Sequence, residues 1–231
     1  MRCSDVGSWA EKVVSLEPGR GRKPLAQDCL EPGDLIKTRR SIRRFSGEPV
    51  SREVVQELID AATRAPSPHN RQPWRFAVLL TASKKAHLAH VMGERLQADR
   101  SRDGDPAEAI EADVARSRAR IEGAPVIIVA ALSMRDMDTY PDGRRLHAEY
   151  IMAVQATATA VQNMLLLAHA SGLGSCWMCA PLFCPETVRD GLFLPQDWEP
   201  QALVALGVPG SPGRDRPRLD PSETTMWLDE P

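Results

Sequence analysis

A chain of 231 residues, 42% apolar and 26% charged, has the make-up of an ordinary globular protein, long enough for one substantial domain or two small ones. Its net charge of −2 leaves no basic excess to neutralise a phosphate backbone, which argues against nucleic-acid binding. No apolar run is expected to reach the about 20 residues of a membrane helix, and the first residues lack a secretory signal, so the expected location is cytoplasmic, away from membranes.

In chain order, residues 1–33 are rich in Gly, Pro and charge and read as a flexible N-terminal extension, with one short helix through Trp9, Val13, Val14 and Leu16 as its only periodic feature. The folded domain is expected from Asp34, an acidic N-cap, to about residue 220, with 221–231 as a C-terminal tail. Thr38–Phe45 then packs four arginines into six residues: either a solvated basic helix end or a cradle for an anion, in which Arg39, Arg40, Ser41 and Arg43 supply donors suited to phosphate. Ser51 starts an amphipathic helix through Val54, Val55, Leu58, Ile59 and Ala62, which should end at Pro66 and Pro68. His69, Asn70 and Arg71 lie on the loop that enters a strand, Trp74–Leu80.

Two charged helices over 84–98 and 106–122 flank an Arg-Ser-Arg-Asp-Gly-Asp-Pro turn. They suit an ordinary surface pair or a substrate-side flap, with Asp99 and Arg100 as substrate candidates. The continuous run Pro125–Leu132 predicts a strand covered on both faces. Asp142–Ser171 predicts a long, buried helix with Ile151, Val154, Ala158, Val161, Leu165 and Ala168 on one stripe, central to the domain or at a subunit interface. Gly172 and Gly174 stop it, Leu173–Met178 returns as a strand, and a short helix at 185–192, a turn at 194–200 and a buried strand at 202–208 complete the domain. Helices alternating with buried strands give an α+β layered domain.

The usual catalytic constellations are missing from the pattern. No Gly-rich loop joins a strand to a helix as a P-loop or dinucleotide site requires, no nucleophile elbow or carboxylate pair stands out, and His69 and His147 are isolated. Five cysteines, Cys3, Cys29, Cys176, Cys179 and Cys184, are odd in number and fit reduced thiols. Cys176-Trp-Met-Cys179 sits on a strand without a second ligand pair, so no metal is expected. A chain without its own acid–base or nucleophile set suits a cofactor enzyme, in which the protein binds and orients.

Arg39-Arg-Ser-x-Arg43-x-Phe45 followed by Pro66-Ser-Pro-His-Asn-Arg-Gln-Pro-Trp74 resembles the opening of the nitroreductase-like flavoproteins. Tyr140-Pro-Asp142, Gly172-Leu-Gly-Ser-Cys-Trp177 and Leu194-Pro-x-Asp-Trp-Glu-Pro200 resemble one branch, the C-terminal reductase domain of the bacterial enzyme that glutamylates the deazaflavin coenzyme factor 420. The resemblance covers about residues 34–220 and implies a nitroreductase-like fold, a mostly antiparallel central sheet wrapped by helices, in a homodimer that holds FMN between its subunits. It further implies hydride transfer through flavin N5 to a dehydro-deazaflavin precursor, a nitro compound or a quinone, with NAD(P)H or reduced deazaflavin as donor. By the same resemblance Arg39, Arg40, Ser41 and Arg43 match phosphate and ribityl contacts, and Asn70 the flavin edge. Cys179, Ala180 and Leu182 match the backbone beside N5, and Arg214 and Arg216 the C-terminal phosphate contacts. Two departures stand out: Cys179-Ala180-Pro181 replaces a Gly-Ser-Thr-like run and removes hydroxyls and one N–H, and the first 33 residues are too few for a ligase domain. The alternative to an enzyme is a flavin or deazaflavin carrier without turnover, and a cysteine-centred metal protein is a lesser third reading.

Overall fold

A computed structural model describes residues 31–229; most of the expected N-terminal extension, including its short helix, and Cys3 and Cys29 lie outside them. The first described helix, α1 (Pro32–Thr38), begins before Asp34, which sits in the first turn and is not the cap. Pro32 explains the earlier start, because its fixed φ and missing N–H suit the first helical position.

Helix α2 (Arg52–Ala62) is capped by Ser51, whose Oγ accepts from the Val54 amide, and buries Val54, Val55, Leu58 and Ala62. It stops short of the prolines: Arg64 N and Ala65 N bond to carbonyls three residues back, unwinding the last turn before Pro66. Strand β1 (Trp74–Leu79) leads to α3 (Ala82–Arg102) and α4 (Ala107–Glu122), the charged hairpin. Here α3 runs on to Arg102, through half of the expected turn, until Gly104 at φ +82° reverses the chain.

Strand β2 (Val126–Leu132) is buried along its whole length, as its apolar run requires. The long helix α5 (Gly143–Ala170) is capped by Asp142, which accepts from the Arg145 amide at 2.9 Å. Its buried stripe is Ala153, Ala156, Thr157, Ala160, Val161, Met164, Leu165 and Ala168, while Ile151, expected inside, is 40% exposed and Glu149 is buried. By length and composition α5 could cross a membrane, contrary to the expectation that no run comes near; in the structure its buried stripe is part of the domain core. After Gly172, at φ +75°, come β3 (Gly174–Met178), α6 (Pro185–Gly191), β4 (Glu199–Gly207) and the single turn α7 (Pro221–Thr224) within the expected tail. Strand β4 starts at Glu199, so it takes the last two residues of the expected turn.

The four strands form one antiparallel sheet in the order β1-β2-β4-β3. Helices cover both faces. Val126, Ile128 and Ala130 of β2 meet α2 and α5 on one side, and Ile127 and Val129 meet Leu88, Met92, Ile121 and Val188 on the other. Strands β2 and β4 are therefore the hydrophobic centre, and the two edges, β1 and β3, are where polar groups gather.

Candidate functional site

The arginine stretch starts at the end of α1, with Arg39 as the C-cap, but is extended beyond it. Arg39 leaves α1 in an extended conformation, and the chain runs along the open edge of β3, with a parallel bridge between Ser41 and Ser175 and the Ile42 amide donating to the Ser175 carbonyl at 2.9 Å. Ile42 is buried and anchors this ribbon. Gly174 permits the approach, since a Cβ there would lie 2.8 Å from the Ile42 side chain.

A second extended segment, beyond β4, lies against the first. Ser46 N bonds to the Val208 carbonyl and Gly210 N to the Arg44 carbonyl, and Phe45 bridges Pro209. Further on, a Cβ at Gly213 would fall 2.2 Å from Arg40 Cβ, and Asp215 pairs with the Arg40 guanidinium at 2.9 Å. The structure thus brings Arg39, Arg40 and Arg43 together with the segment carrying Arg214 and Arg216. Arg40 is partly occupied: it also donates to the Lys37 and Arg39 carbonyls. Among the described residues, Arg39, Arg43, Arg214 and Arg216 have no carboxylate within 4.0 Å. These guanidiniums, with Arg44 on the same ribbon, lie on two adjacent extended segments and are donors of the kind that suit an anion.

The other expected flavin contacts are split. Cys179, exposed, follows the C-terminal end of β3, and Ala180–Phe183 forms one 3-10 turn behind it. Cys176 and Cys184 are buried, which pushes their thiols up and leaves them unreactive, and no group of metal-ligating residues occurs among the described residues. Asn70 lies on the opposite side of the sheet, in the loop before β1. Four inter-strand steps separate that strand from the ribbon, roughly 19 Å. Its loop is tightly built: His69, Asn70 and Gln72 all have positive φ (47°, 55°, 51°), Gln72 N donates to Ser67 Oγ, and Arg71 pairs with Asp138. Three non-glycine residues in that region mark a strained loop of the kind found at ligand sites.

The family model described as "Nitroreductase family" matches residues 36–208. The chain is 31% identical to a Thermus thermophilus NADH dehydrogenase over 213 residues, 82% of this chain and 92% of that relative. The chain belongs to the nitroreductase family. A Desulfovibrio desulfuricans protein solved in complex with FMN is similar at 30% identity and a TM-score of 0.66, covering 87% of this chain and 98% of that one. A BluB-like flavoprotein from Clostridium difficile, at 23% identity and a TM-score of 0.70 over 87% of this chain and all of its own, shares the fold.

Within this nitroreductase-family domain the hairpin residues Asp99 and Arg100 are ion-paired. Asp99 accepts from Arg95 at 2.6 Å and from Arg102 at 3.3 Å, and Arg100 reaches both Asp105 and Asp113. These pairs tie together the tip of α3 and α4.

Two groups escaped sequence reading. His169, in the last turn of α5, lies with Nε2 at 2.9 Å from Thr38 Oγ1, and burial together with Arg39 and Arg40 holds its pKa below the usual histidine value. At the end of the sheet where β2 finishes and β4 begins, a cavity of about 420 Å³ is lined by Leu132, Met134, Arg135, Arg189 and Trp198. Two of its carboxylates are internally satisfied: Asp197 by Ser133 at 2.7 Å, which lowers its pKa, and Glu199 by Tyr150 at 2.5 Å and Gln201 at 2.9 Å. An isolated His and a Ser–Asp pair 64 residues apart carry no local pattern by which sequence could have found them.

Proposed function

We propose that this chain is an FMN-dependent oxidoreductase that moves a hydride between a nicotinamide or deazaflavin donor and an electron-poor organic substrate. The observation that carries the reading is the row of arginines without carboxylates on the β3 edge, matched to the phosphate of FMN. Arg39, Arg43, Arg214 and Arg216 would hold the phosphate, with Arg40 sharing that charge while its pair with Asp215 keeps the two segments together, and Ser41 would meet the ribityl chain. Bound there, FMN supplies the hydride acceptor and donor, its N5. Cys179, Ala180 and Leu182 would contribute the backbone beside the ring, where Pro181 offers no N–H. The fixed donors need no rearrangement when charge develops, which is how such sites lower a barrier.

The reading includes a homodimer. Asn70 precedes the strand at the opposite edge of the sheet from its own chain's ribbon, so a second copy would bring the Asn70 loop to the site. Uncovered apolar surface supports a partner: Leu146 and Ile151 on α5, and Leu219, Met226, Trp227 and Leu228 at 68–83% exposure near the C-terminus. A cytoplasmic, soluble setting fits the same reading. The substrate would be a nitro compound, a quinone or a dehydro-deazaflavin precursor, and turnover of each with NADH and NADPH decides among them. A protein that purifies without flavin and takes up no added FMN contradicts the proposal.

A further inference from the structure

His169 stands beside the arginine ribbon without belonging to any function assigned above. Its Nε2 is 2.9 Å from Thr38 Oγ1, the residue immediately before Arg39. The Thr38 hydroxyl proton is committed to the Asp34 carbonyl at 2.6 Å, so Thr38 accepts from the ring and the neutral tautomer carries its proton on Nε2. Nδ1 is left free to take a second proton. Two opposing influences act on that step. The carbonyl end of α5 favours a cation, while partial burial and the Arg39 and Arg40 guanidiniums oppose one and hold the pKa below the usual value.

The surrounding charges are few. The ribbon brings Arg39 and Arg40, the α1 side contributes Lys37 in its last turn, and the C-terminal segment contributes Asp215, already paired with Arg40. Burial is the largest influence that keeps the ring neutral, and the next is the positive charge of Arg39 and Arg40, the same charge that an anion on the ribbon would meet. An anion on the ribbon would offset the arginine repulsion and so favour the charged ring.

We propose that His169 is a proton-linked positioning residue of the anion site, taking up a proton when a phosphate monoester settles on the arginine ribbon and then adding its own charge to the hold on that group. The inference rests on the FMN reading for the identity of the monoester but not for the linkage itself. Binding is then tightest below the pH at which free His169 titrates, and weakens as pH rises through the higher value of the bound form. The phosphate's own ionisation runs the other way, so comparison with a His169 variant is needed to isolate the imidazole.

The test follows the His169 ring resonances of the full-length protein by NMR through a pH series, alone, with inorganic phosphate, with FMN and with riboflavin. Phosphate and FMN should each move the midpoint upward by about 1, the scale of a nearby opposite charge, and riboflavin should leave it in place. In calorimetry, His169→Gln, which keeps a donor toward Thr38, should lose the proton uptake that accompanies FMN binding and the preference for low pH. A midpoint unmoved by both phosphate and FMN, or equal uptake in His169→Gln, overturns the proposal. A response to inorganic phosphate with no binding of FMN would uphold the linkage and refute the FMN reading.

Discussion

Arg43 is the simplest residue on which to test the ribbon, because no carboxylate within 4.0 Å depends on it and it is exposed. Arg43→Ala should weaken FMN by about 1.5–3 kcal/mol, tenfold to a hundredfold, and riboflavin scarcely at all; flavin fluorescence titration reads both. Equal losses for the two ligands would place Arg43 away from the phosphate. Phe193 makes a different point. It follows α6 at φ +56° and 86% exposed, with Phe193 N bonding to Asp190 O and Leu194 N to Arg189 O, a helix-ending motif that ordinarily holds glycine. Phe193→Gly should raise stability by up to about 1 kcal/mol, seen as a higher denaturation midpoint. A loss would mean that the phenyl ring packs against something, such as a second copy.

At the scale of elements, the site depends on two close approaches, ribbon to β3 at Gly174 and C-terminal segment to ribbon at Gly213. Gly213→Ala should push the second segment off Arg40 and weaken FMN without lowering the denaturation midpoint comparably, because the core strands are untouched. Helix caps carry the acid sensitivity. The Arg145 amide and side chain hold Asp142 below the usual carboxylate range, so its contribution is complete above the unfolded value of about 4 and is lost as pH falls through the lower folded value. Asp142→Asn should flatten the acid limb of a stability–pH curve by lowering neutral stability toward its low-pH level. Arg100→Ala should loosen the α3–α4 tip and leave KM unchanged; a large rise in KM would restore the hairpin to the substrate side. Much at this scale was legible in local pattern: the Ser51 and Asp142 caps, the fully buried β2 and the glycine stop after α5 all follow from neighbouring residues. The extended form of Arg39–Phe45 was not, because it is imposed by Gly174 and Gly213, more than 130 residues away. Nor was the outward face of Ile151, since a helix apolar nearly all round gives periodicity no face to choose.

For the whole molecule, the order β1-β2-β4-β3 decides how the site is assembled. The family resemblance named Arg39, Asn70 and Cys179 together, but only the topology sets Asn70 and the ribbon on opposite sides, since strand order is a property of long-range pairing. On the proposed reading, expected flavin contacts at opposite edges of the sheet would be completed by a second copy. Mixing a chain bearing Arg39→Ala and Arg43→Ala with one bearing Asn70→Ala should restore one intact site per mixed dimer, up to half the wild-type activity, whereas sites confined to single chains would restore none.

The central claim is that this chain holds FMN and passes hydride through it. The most direct measurement is the absorbance of the purified, FMN-loaded protein under anaerobic conditions as NADH or NADPH is added, followed by a quinone or nitroaromatic. The bound flavin should bleach with at least one nicotinamide and recover its colour on addition of the acceptor. Bound flavin that neither nicotinamide bleaches would contradict that claim and leave a carrier in place of an enzyme.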